Sequence, residues 1–304
     1  MTNNTEEEIK NKKDRFLPVS IVLAAILIAG AFVYKTGVNT NNITAQSSDF
    51  EADSLAAMLF ATDGIQLPVR WGDLGKQLIA KGVIDADKFE AIYANRGGLT
   101  PEEKQLLYGA ANGNLTINAR NSGVILNLLW AFGLANKNEI LENGPMTDPR
   151  YGGAGNFAST GGWTIAKGGA MDHYSKYSLV VLNSEQQKLV EAVSGGIYRP
   201  CCGNSAYFPD CNHGMAMLGL LELMASQGAS EADMYKAALV VNSFWFSDTY
   251  LTIEKYLQSK GIGWQSVDPK QVLGVDFSSG SGFQNILKQI APVQNSTGGG
   301  CSVQ

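Results

Sequence analysis

The stretch NSGVILNLLWAFGLA, residues 121–135, is almost wholly apolar and points to a helical fold. A helix that is hydrophobic on every side is either buried in a protein core or inserted in a membrane. Fifteen residues fall short of the roughly 20 that cross a bilayer, so the stretch predicts a core helix. The chain has 304 residues, of which 45% are hydrophobic and 17% charged. That composition supplies one large core or two small ones around this helix.

Outward from this stretch, apolar residues recur at helical spacing along most of the chain. They predict helices at 55–61, 71–81, 85–93, 101–108, 183–193, 213–226, 230–246, 247–260 and 283–290. Thr100, Pro101 and Glu103 form a capping box that begins one of these helices. Gly228 and Gly261 end two others. We also predict a short strand at 180–182 and a break in the helical pattern at 280–282.

The fold class predicted from this pattern is mainly α. Residues 151–169 contain seven glycines, a composition typical of irregular backbone that can approach a ligand or another chain closely. Because no long linker divides the rest, we predict one α-helical globular domain over 51–292 that includes this Gly-rich segment. Two helical subdomains joined through the segment are the alternative.

Near the N-terminus, residues 16–34 are nineteen consecutive residues without a charge, which predicts a transmembrane helix. Basic residues gather before this helix, and the positive-inside rule then keeps the N-terminus in the cytoplasm. The segments predicted are a cytoplasmic tail (1–15), a single-pass anchor (16–34), a flexible tether (35–50), the extracytoplasmic domain (51–292) and a flexible C-terminal tail (293–304). A cleaved signal peptide with an A-x-A-like site at 29–31 is the alternative.

Charge and short motifs argue against several classes of function. A formal net charge of -5 gives the chain no overall attraction to nucleic acid, so we expect the membrane as a partner and no nucleic acid. The pattern G-x-G-x-x-A at 153–158 lacks the strand and helix of a dinucleotide site, so no nucleotide cofactor is expected. The sequence contains no serine nucleophile elbow, paired-His metalloprotease motif or phosphate loop. It therefore does not indicate a particular enzyme class or substrate.

Three of the four cysteines and one of the two histidines lie within thirteen residues. Cys201, Cys202, Cys211 and His213 have the spacing C-C-x8-C-x-H, which differs from zinc-finger patterns. Thiolate and imidazole are preferred ligands of Zn(II), and together with thioether they suit Cu(I). We predict that these four residues bind a soft or borderline metal ion such as zinc or copper.

The helix at 213–226 places part of this cluster at a helix N-terminus. Asp210 or Asn212 is expected to cap the helix, and the N-terminal position of Cys211 favours ionisation of its thiol. Further ligand candidates are His173, Met215 and Met217. The alternative is that the methionines fill gaps in the core and that His173 is a surface residue. Glu222 interrupts the same helix, either as a buried carboxylate that is a partner of the site or a general base, or as a solvent-exposed boundary residue.

Two other interpretations of the cysteines stay open. In an oxidising compartment, Cys202 and Cys211 could form a structural disulfide, with Cys201 free or paired to Cys301. The chain would then be a scaffold or interaction module, with its binding surface around Trp163. The third interpretation is a thiol–disulfide redox protein acting through the adjacent Cys201 and Cys202, whose disulfide would be strained.

The sequences PCC (200–202) and DCNHGM (210–215), with the preceding Gly-rich segment, resemble those of a group of membrane-anchored bacterial envelope proteins that have no assigned activity. The resemblance extends over about residues 120–230. It implies a bacterial envelope setting and does not by itself imply a reaction.

Overall fold

The computed structural model describes residues 54–290. This part of the chain is mainly helical, as the apolar periodicity predicts. The tails, anchor and tether predicted at 1–15, 16–34, 35–50 and 293–304 lie outside the described residues. Across 54–290, each helix is too short or too polar to cross a bilayer.

The described chain forms fourteen α-helices and one two-stranded antiparallel sheet. In chain order the elements are α1 (Leu55–Phe60), β1 (Ile65–Gly72), α2 (Leu74–Ala80), α3 (Ala86–Tyr93), α4 (Pro101–Tyr108), β2 (Asn112–Ile117), α5 (Ser122–Ala135), α6 (Glu139–Asn143), α7 (Ala158–Gly161), α8 (Ser184–Gly196), α9 (Asn212–Ser226), α10 (Glu231–Trp245), α11 (Ser247–Ser259), α12 (Pro269–Val272), α13 (Val275–Ser278) and α14 (Gly280–Ile290). Short 3-10 turns occur at Ala94–Arg96, Pro145–Thr147, Pro149–Tyr151, Ala154–Asn156, Ala170–Asp172 and Trp264–Ser266.

Helices α5 and α9 form the centre of the core. Every residue from 124 to 135 except Asn127 is buried, so the predicted core helix is confirmed. The two helices cross at Gly133 and Gly219, where their backbones lie closer than side chains allow. A Cβ on Gly133 would lie only 2.3 Å from the carbonyl oxygen of Met215. This crossing fixes the first half of α9, at whose start the cysteine cluster lies.

The two-stranded sheet of β1 and β2 is missing from the sequence prediction, which placed a helix at 71–81. Strand β1 instead runs to Gly72, and α2 begins at Leu74. Within β1 every second residue is buried, as in a strand with one face on the core: Leu67, Val69 and Trp71. Two features hide this strand in the sequence. Pro68 argues against a strand because proline has no backbone N–H to donate, and the pairing partner, β2, lies about 45 residues further along the chain.

Helix ends follow the predicted signals in most places. The Thr100 hydroxyl accepts the backbone N–H of Glu103 (3.2 Å), and the Glu103 carboxylate accepts that of Thr100 (2.7 Å), which confirms the capping box. Gly228 and Gly261 adopt left-handed φ values of 81° and 77°. The helices predicted at 213–226, 230–246 and 247–260 are confirmed as α9, α10 and α11.

The strand predicted at 180–182 is wrong. Leu179 and Val180 donate their backbone N–H groups to the side-chain oxygen of Asn136, each at 3.0 Å. This side chain supplies the acceptor that a neighbouring strand would otherwise provide, so the segment stays irregular.

The break predicted at 280–282 lies one residue earlier, at Ser279, between α13 and α14, which begins at Gly280. Ser279 accepts the N–H of Gly282 through its hydroxyl (2.9 Å), which satisfies a donor of the first turn as an N-cap does. A Cβ on Gly282 would lie 2.3 Å from the carbonyl oxygen of Val275. The glycine here allows a close contact and does not end the helix.

The Gly-rich segment at 151–169 is irregular, as predicted, and contains only 3-10 turns and the single-turn helix α7. The backbone N–H of Ser159 donates to the carbonyl of Asp210 (3.0 Å). The Ser159 carbonyl accepts the indole N–H of Trp130 (2.6 Å). The segment therefore connects the core helix α5 to the loop that precedes α9.

Candidate metal centre

The chain between α8 and α9 turns back on itself and brings three cysteines together. Tyr198 and Ser205 form an antiparallel bridge at the base of this turn. Cys201 and Cys202 lie between them, and the carbonyl of Cys202 accepts the N–H of Gly280 (2.8 Å). Backbone hydrogen bonds therefore hold the adjacent cysteines at a defined position.

Cys211 is the N-cap of α9, and its Sγ accepts the backbone N–H of Gly214 (3.4 Å). The expected cap by Asp210 or Asn212 is wrong. Asn212 is the first residue of the helix, and the carboxylate of Asp210 bonds to side chains of the preceding loop. The predicted position of Cys211 and His213 at the N-terminus of a helix is confirmed.

Two groups of candidate ligand atoms share the Sγ of Cys211. Cys201, Cys211 and His213 each contribute one atom, all within 4.8 Å of one another, and so do Cys202, Asp210 and Cys211. The Sγ atoms of Cys201 and Cys211 are 3.9 Å apart. With Zn–S bonds of about 2.3 Å, tetrahedral geometry separates two sulfur ligands by about 3.8 Å. The four ligands predicted from sequence therefore gather around Cys211.

The described cysteines, Cys201, Cys202 and Cys211, are free thiols. The 3.9 Å between the sulfur atoms of Cys201 and Cys211 is almost twice the length of a disulfide, about 2.05 Å. The alternative disulfide between Cys202 and Cys211 is not formed. Cys301, the other partner considered, lies outside the described residues.

His213 is held by aromatic rings. Its imidazole lies 4.4 Å from the ring of Phe246 and 5.8 Å from that of Trp245, centre to centre. Within residues 54–290, neither ring nitrogen of His213 has a hydrogen-bond partner. Burial, together with the positive charge of Arg199, lowers the pKa of His213 to about 4. The imidazole is therefore neutral at pH 7 and has a lone pair available for a metal ion.

Arg199 is fully buried beside the thiols. Its Nη2 donates to Asp210 Oδ1 (2.6 Å), to Cys202 Sγ (3.1 Å) and to the carbonyl of Phe208 (3.3 Å). The other Asp210 oxygen accepts from the amide of Asn204 (2.8 Å). Among the described residues, Nε and Nη1 of Arg199 have no hydrogen-bond partner. A buried cation with unused donors favours negative charge close by.

The three thiols hold one negative charge most readily at Cys202. Hydrogen bonds from the Cys201 and Cys211 thiols, and then the charge of Arg199, place the pKa of Cys202 far below its usual range. Donation to Cys202 and Cys211, with burial, raises the pKa of Cys201. At Cys211, the hydrogen bond from Cys201 lowers the pKa, but donation to Cys202 and burial together raise it. Of the three thiols, Cys202 is therefore the one that the site favours for ionisation.

His173 lies apart from this cluster. Its Nε2 is 2.8 Å from the carbonyl oxygen of Lys167, and its Nδ1 is 2.9 Å from the hydroxyl of Tyr177. Both ring nitrogens are therefore in use, and His173 belongs to neither ligand group of the described chain. The expectation of a surface histidine is also wrong, because the side chain is buried.

The other residues singled out on α9 are buried in the core. Met215 and Met217 have no exposed surface, as expected if they fill the core. Glu222 is fully buried as well, so its expected position at the solvent boundary is wrong. Its Oε2 accepts the amide N–H of Asn136 (2.6 Å). The partner of this carboxylate is therefore an amide on the core side and not a residue of the cysteine cluster.

Sequence reasoning missed Arg199 and gave Asp210 a different role. The available signal was the pair of opposite charges that flank the cysteines within a nearly uncharged stretch. The sequence prediction also placed an interaction surface around Trp163, but this side chain is buried. The exposed aromatic ring of the Gly-rich segment is that of Tyr151, which contacts Phe157 and Phe208 with ring centres 5.2 and 5.4 Å away.

This arrangement supports two kinds of chemistry. A neutral imidazole and clustered thiols can bind a metal ion, and closely spaced thiols can be oxidised to a disulfide. Both follow from the geometry around Cys211. Comparisons of the chain with protein-family models, curated proteins and solved structures find no match.

Proposed function

We propose that the chain binds a single Zn(II) ion through Cys201, Cys202, Cys211 and His213. The separation of 3.9 Å between the Sγ atoms of Cys201 and Cys211 carries the proposal, because it is close to the spacing of two sulfur ligands on one zinc ion. The neutral imidazole of His213 and the cap position of Cys211 add to it.

Charge favours a divalent ion over Cu(I), which is the alternative occupant. Three thiolates, one divalent ion and the guanidinium of Arg199 have charges that cancel. The carboxylate of Asp210 adds one negative charge, and its side chain is 21% exposed to solvent. With a monovalent ion, a second negative charge would be left in a largely desolvated site, which is costly.

The zinc ion either stabilises the fold or is a cargo that the chain binds and releases. Zinc sites with four protein ligands are closed to substrate. In this proposal the ion joins the turn that carries Cys201 and Cys202 to the start of α9, and thereby to the core. Cys201 is the most exposed of the three cysteines, so it is the ligand that an exchanging thiol or chelator reaches first.

We propose further that segment 16–34 anchors the domain outside the cytoplasm of a bacterial cell. The uncharged run and the basic residues before it support this location. A thiol reagent that cannot cross membranes, applied to intact cells, should label the metal-free cysteines of the full chain. Labelling only after the cells are lysed would overturn the location and leave zinc binding untouched.

Metal content of the full chain tests the proposal. The protein is purified in mild detergent with reductant, supplied with zinc, dialysed, and measured by elemental analysis and native mass spectrometry. We expect one zinc ion per chain. Loss of an outer-sphere partner typically weakens metal binding by about 10–100-fold. Cys211→Ser and His213→Ala each remove a proposed ligand, so each should weaken zinc binding by more than this.

The matched control is Cys301→Ser, which removes a thiol outside the proposed ligand set and should retain one ion. Competition between zinc and copper under reducing conditions identifies the preferred metal. If the cluster variants and the control hold the same amount of metal, or if the reduced wild-type chain binds none, the proposal is wrong.

A further inference from the structure

Cys201 and Cys211 are placed to form a disulfide with little movement. Their sulfur atoms are 3.9 Å apart, so closing a bond of about 2.05 Å needs an approach of about 2 Å. Cys201 is exposed on a turn, which gives an incoming reagent access to it. Cys211 is fixed at the start of α9, where the N–H of Gly214 bonds to its sulfur.

The sulfur of Cys202 also lies within 4.8 Å of that of Cys211, but it has polar partners of its own. Its sulfur accepts a hydrogen bond from Arg199 at 3.1 Å and lies 3.9 Å from the carbonyl oxygen of Asn204. A disulfide between the neighbouring Cys201 and Cys202 would be strained. The structure thus favours a different redox pair from the adjacent one considered from the sequence.

We infer that the metal-free site exchanges with low-molecular-weight disulfides and closes a Cys201–Cys211 disulfide, which prevents metal binding. The second half of this inference rests on the proposed function, because it removes two of the four proposed zinc ligands. The chain would bind metal only when its cluster is reduced.

The exchange takes place in two steps. The Cys201 thiol gives up its proton to solvent, and its sulfur then attacks one sulfur of the small disulfide, forming a mixed disulfide and releasing one thiolate. Cys211 gives up its proton in turn, and its sulfur attacks that of Cys201, forming the internal disulfide and releasing the second thiolate. Both released thiolates take up protons. The two cysteines lose two electrons and two protons, and the small disulfide becomes two thiols.

The reverse reaction also suits the geometry. An incoming thiol reaches the exposed sulfur of Cys201, and Cys211 leaves as a thiolate at the N-terminus of α9. The N–H of Gly214 and the helix dipole stabilise negative charge at that position. The pair is therefore reversible, unlike a disulfide buried in the core.

Mapping of the disulfide tests the inference without metal. The full chain carrying Cys301→Ser is stripped of metal, incubated with oxidised glutathione, alkylated, digested and analysed by mass spectrometry. We expect a Cys201–Cys211 linked peptide with Cys202 alkylated. An added Cys202→Ser substitution should leave the link unchanged, whereas Cys211→Ser should stop at a glutathione adduct on Cys201.

Two outcomes would overturn the inference. One is a main disulfide that includes Cys202. The other is three free thiols after an incubation in which oxidised glutathione converts a reference dithiol to its disulfide. Zinc titration of the oxidised and re-reduced protein then measures the coupling, and oxidation should abolish binding reversibly. If the reduced protein binds no zinc, the proposed function fails while the mapping still decides the redox pair. If zinc binds equally before and after the disulfide closes, the coupling is wrong.

Discussion

Arg199 donates to Asp210 at 2.6 Å, although the arginine side chain is completely inaccessible to solvent. The same Nη2 atom contacts the sulfur of Cys202 at 3.1 Å. One buried cation therefore joins the carboxylate to the thiol with the lowest pKa of the cluster. Because a buried guanidinium is costly without negative partners, the fold maintains anionic groups at this place. We interpret Arg199 as a positioning residue for the metal ligands.

Replacing this arginine should weaken metal binding even though it is not a ligand. In Arg199→Lys the charge is kept, but the lysine side chain is shorter and its ammonium does not reach the position of Nη2, which donates to Asp210, Cys202 and the Phe208 carbonyl. We expect zinc affinity to fall by about 10–100-fold, as for other outer-sphere partners. Competition with a zinc chelator, at constant pH and under reducing conditions, measures the change.

The control for this prediction is Arg120→Lys, at an exposed arginine far from the cluster in sequence. Its zinc affinity should equal that of the wild type. Circular dichroism confirms that both variants are folded. Equal affinities for Arg199→Lys and the wild type would show that the arginine is only a structural residue.

Gly214 leaves space for the guanidinium. A Cβ at this position would lie 2.6 Å from Nη1 and 2.8 Å from Cζ of Arg199. Gly214→Ala should therefore displace the buried arginine and lower the free energy of unfolding by about 1–3 kcal/mol, a typical cost of overpacking. Chemical denaturation of the metal-free, reduced chain measures this loss.

A glycine in the preceding helix provides the comparison for that variant. A Cβ on Gly195 in α8 would have no atom within 4 Å, so Gly195→Ala should be neutral or stabilise the helix by up to about 1 kcal/mol. Similar stabilities for the two alanine variants would mean that Arg199 can move without cost.

Local signals in the sequence predict the helical part of this fold well. The run at 121–135 and the capping box at Thr100 are confirmed, because apolar periodicity and cap chemistry act within a few residues. The two-stranded sheet is missed because pairing of β1 with β2 depends on residues far apart in sequence. The strand predicted at 180–182 does not form for a related reason. The side chain of Asn136, on another segment, accepts the backbone N–H groups of Leu179 and Val180.

The candidate site also has a part that the sequence predicts and a part that it does not. Clustering of Cys201, Cys202, Cys211 and His213 is visible in the sequence because all four lie within thirteen residues of the chain. The use of Arg199 as their buried counter-ion is not, because the burial of a charged side chain depends on the tertiary structure around it. His173 is a candidate ligand in the sequence that the structure does not bring to the cluster, because hydrogen bonds to Lys167 and Tyr177 hold its ring elsewhere.

The crossing of α5 and α9 gives a third prediction, which concerns stability alone. A Cβ on Gly133 would meet backbone atoms of α9, which cannot rotate away as a side chain can. Gly133→Ala should lower the free energy of unfolding by about 2 kcal/mol or more, or force the helices apart. Gly123 lies in the same helix with open space at its Cβ position, so Gly123→Ala should be neutral or stabilising. Equal denaturation midpoints would refute the close approach of the two helices.

Glu222 should make the stability of the chain depend on pH. Burial raises the pKa of this carboxyl well above its ordinary value, and the hydrogen bond from Asn136 only partly opposes the shift. The folded chain therefore keeps a proton that the unfolded chain releases above about pH 4.3. Above that pH, the contribution of Glu222 to stability falls by about 1.4 kcal/mol per pH unit until the pKa of the folded state is reached.

Glu222→Gln removes this titration while keeping the shape of the side chain and an acceptor for Asn136. We expect the variant to be more stable than the wild type at pH 8, with a difference that shrinks steadily toward pH 5. Urea denaturation at pH 5, 6.5 and 8 measures the difference, in which the titration of all other groups cancels. The control is Glu185→Gln, at an exposed site on α8. A constant difference between Glu222→Gln and the wild type would mean that Glu222 is already ionised in the fold, with a partner for its charge.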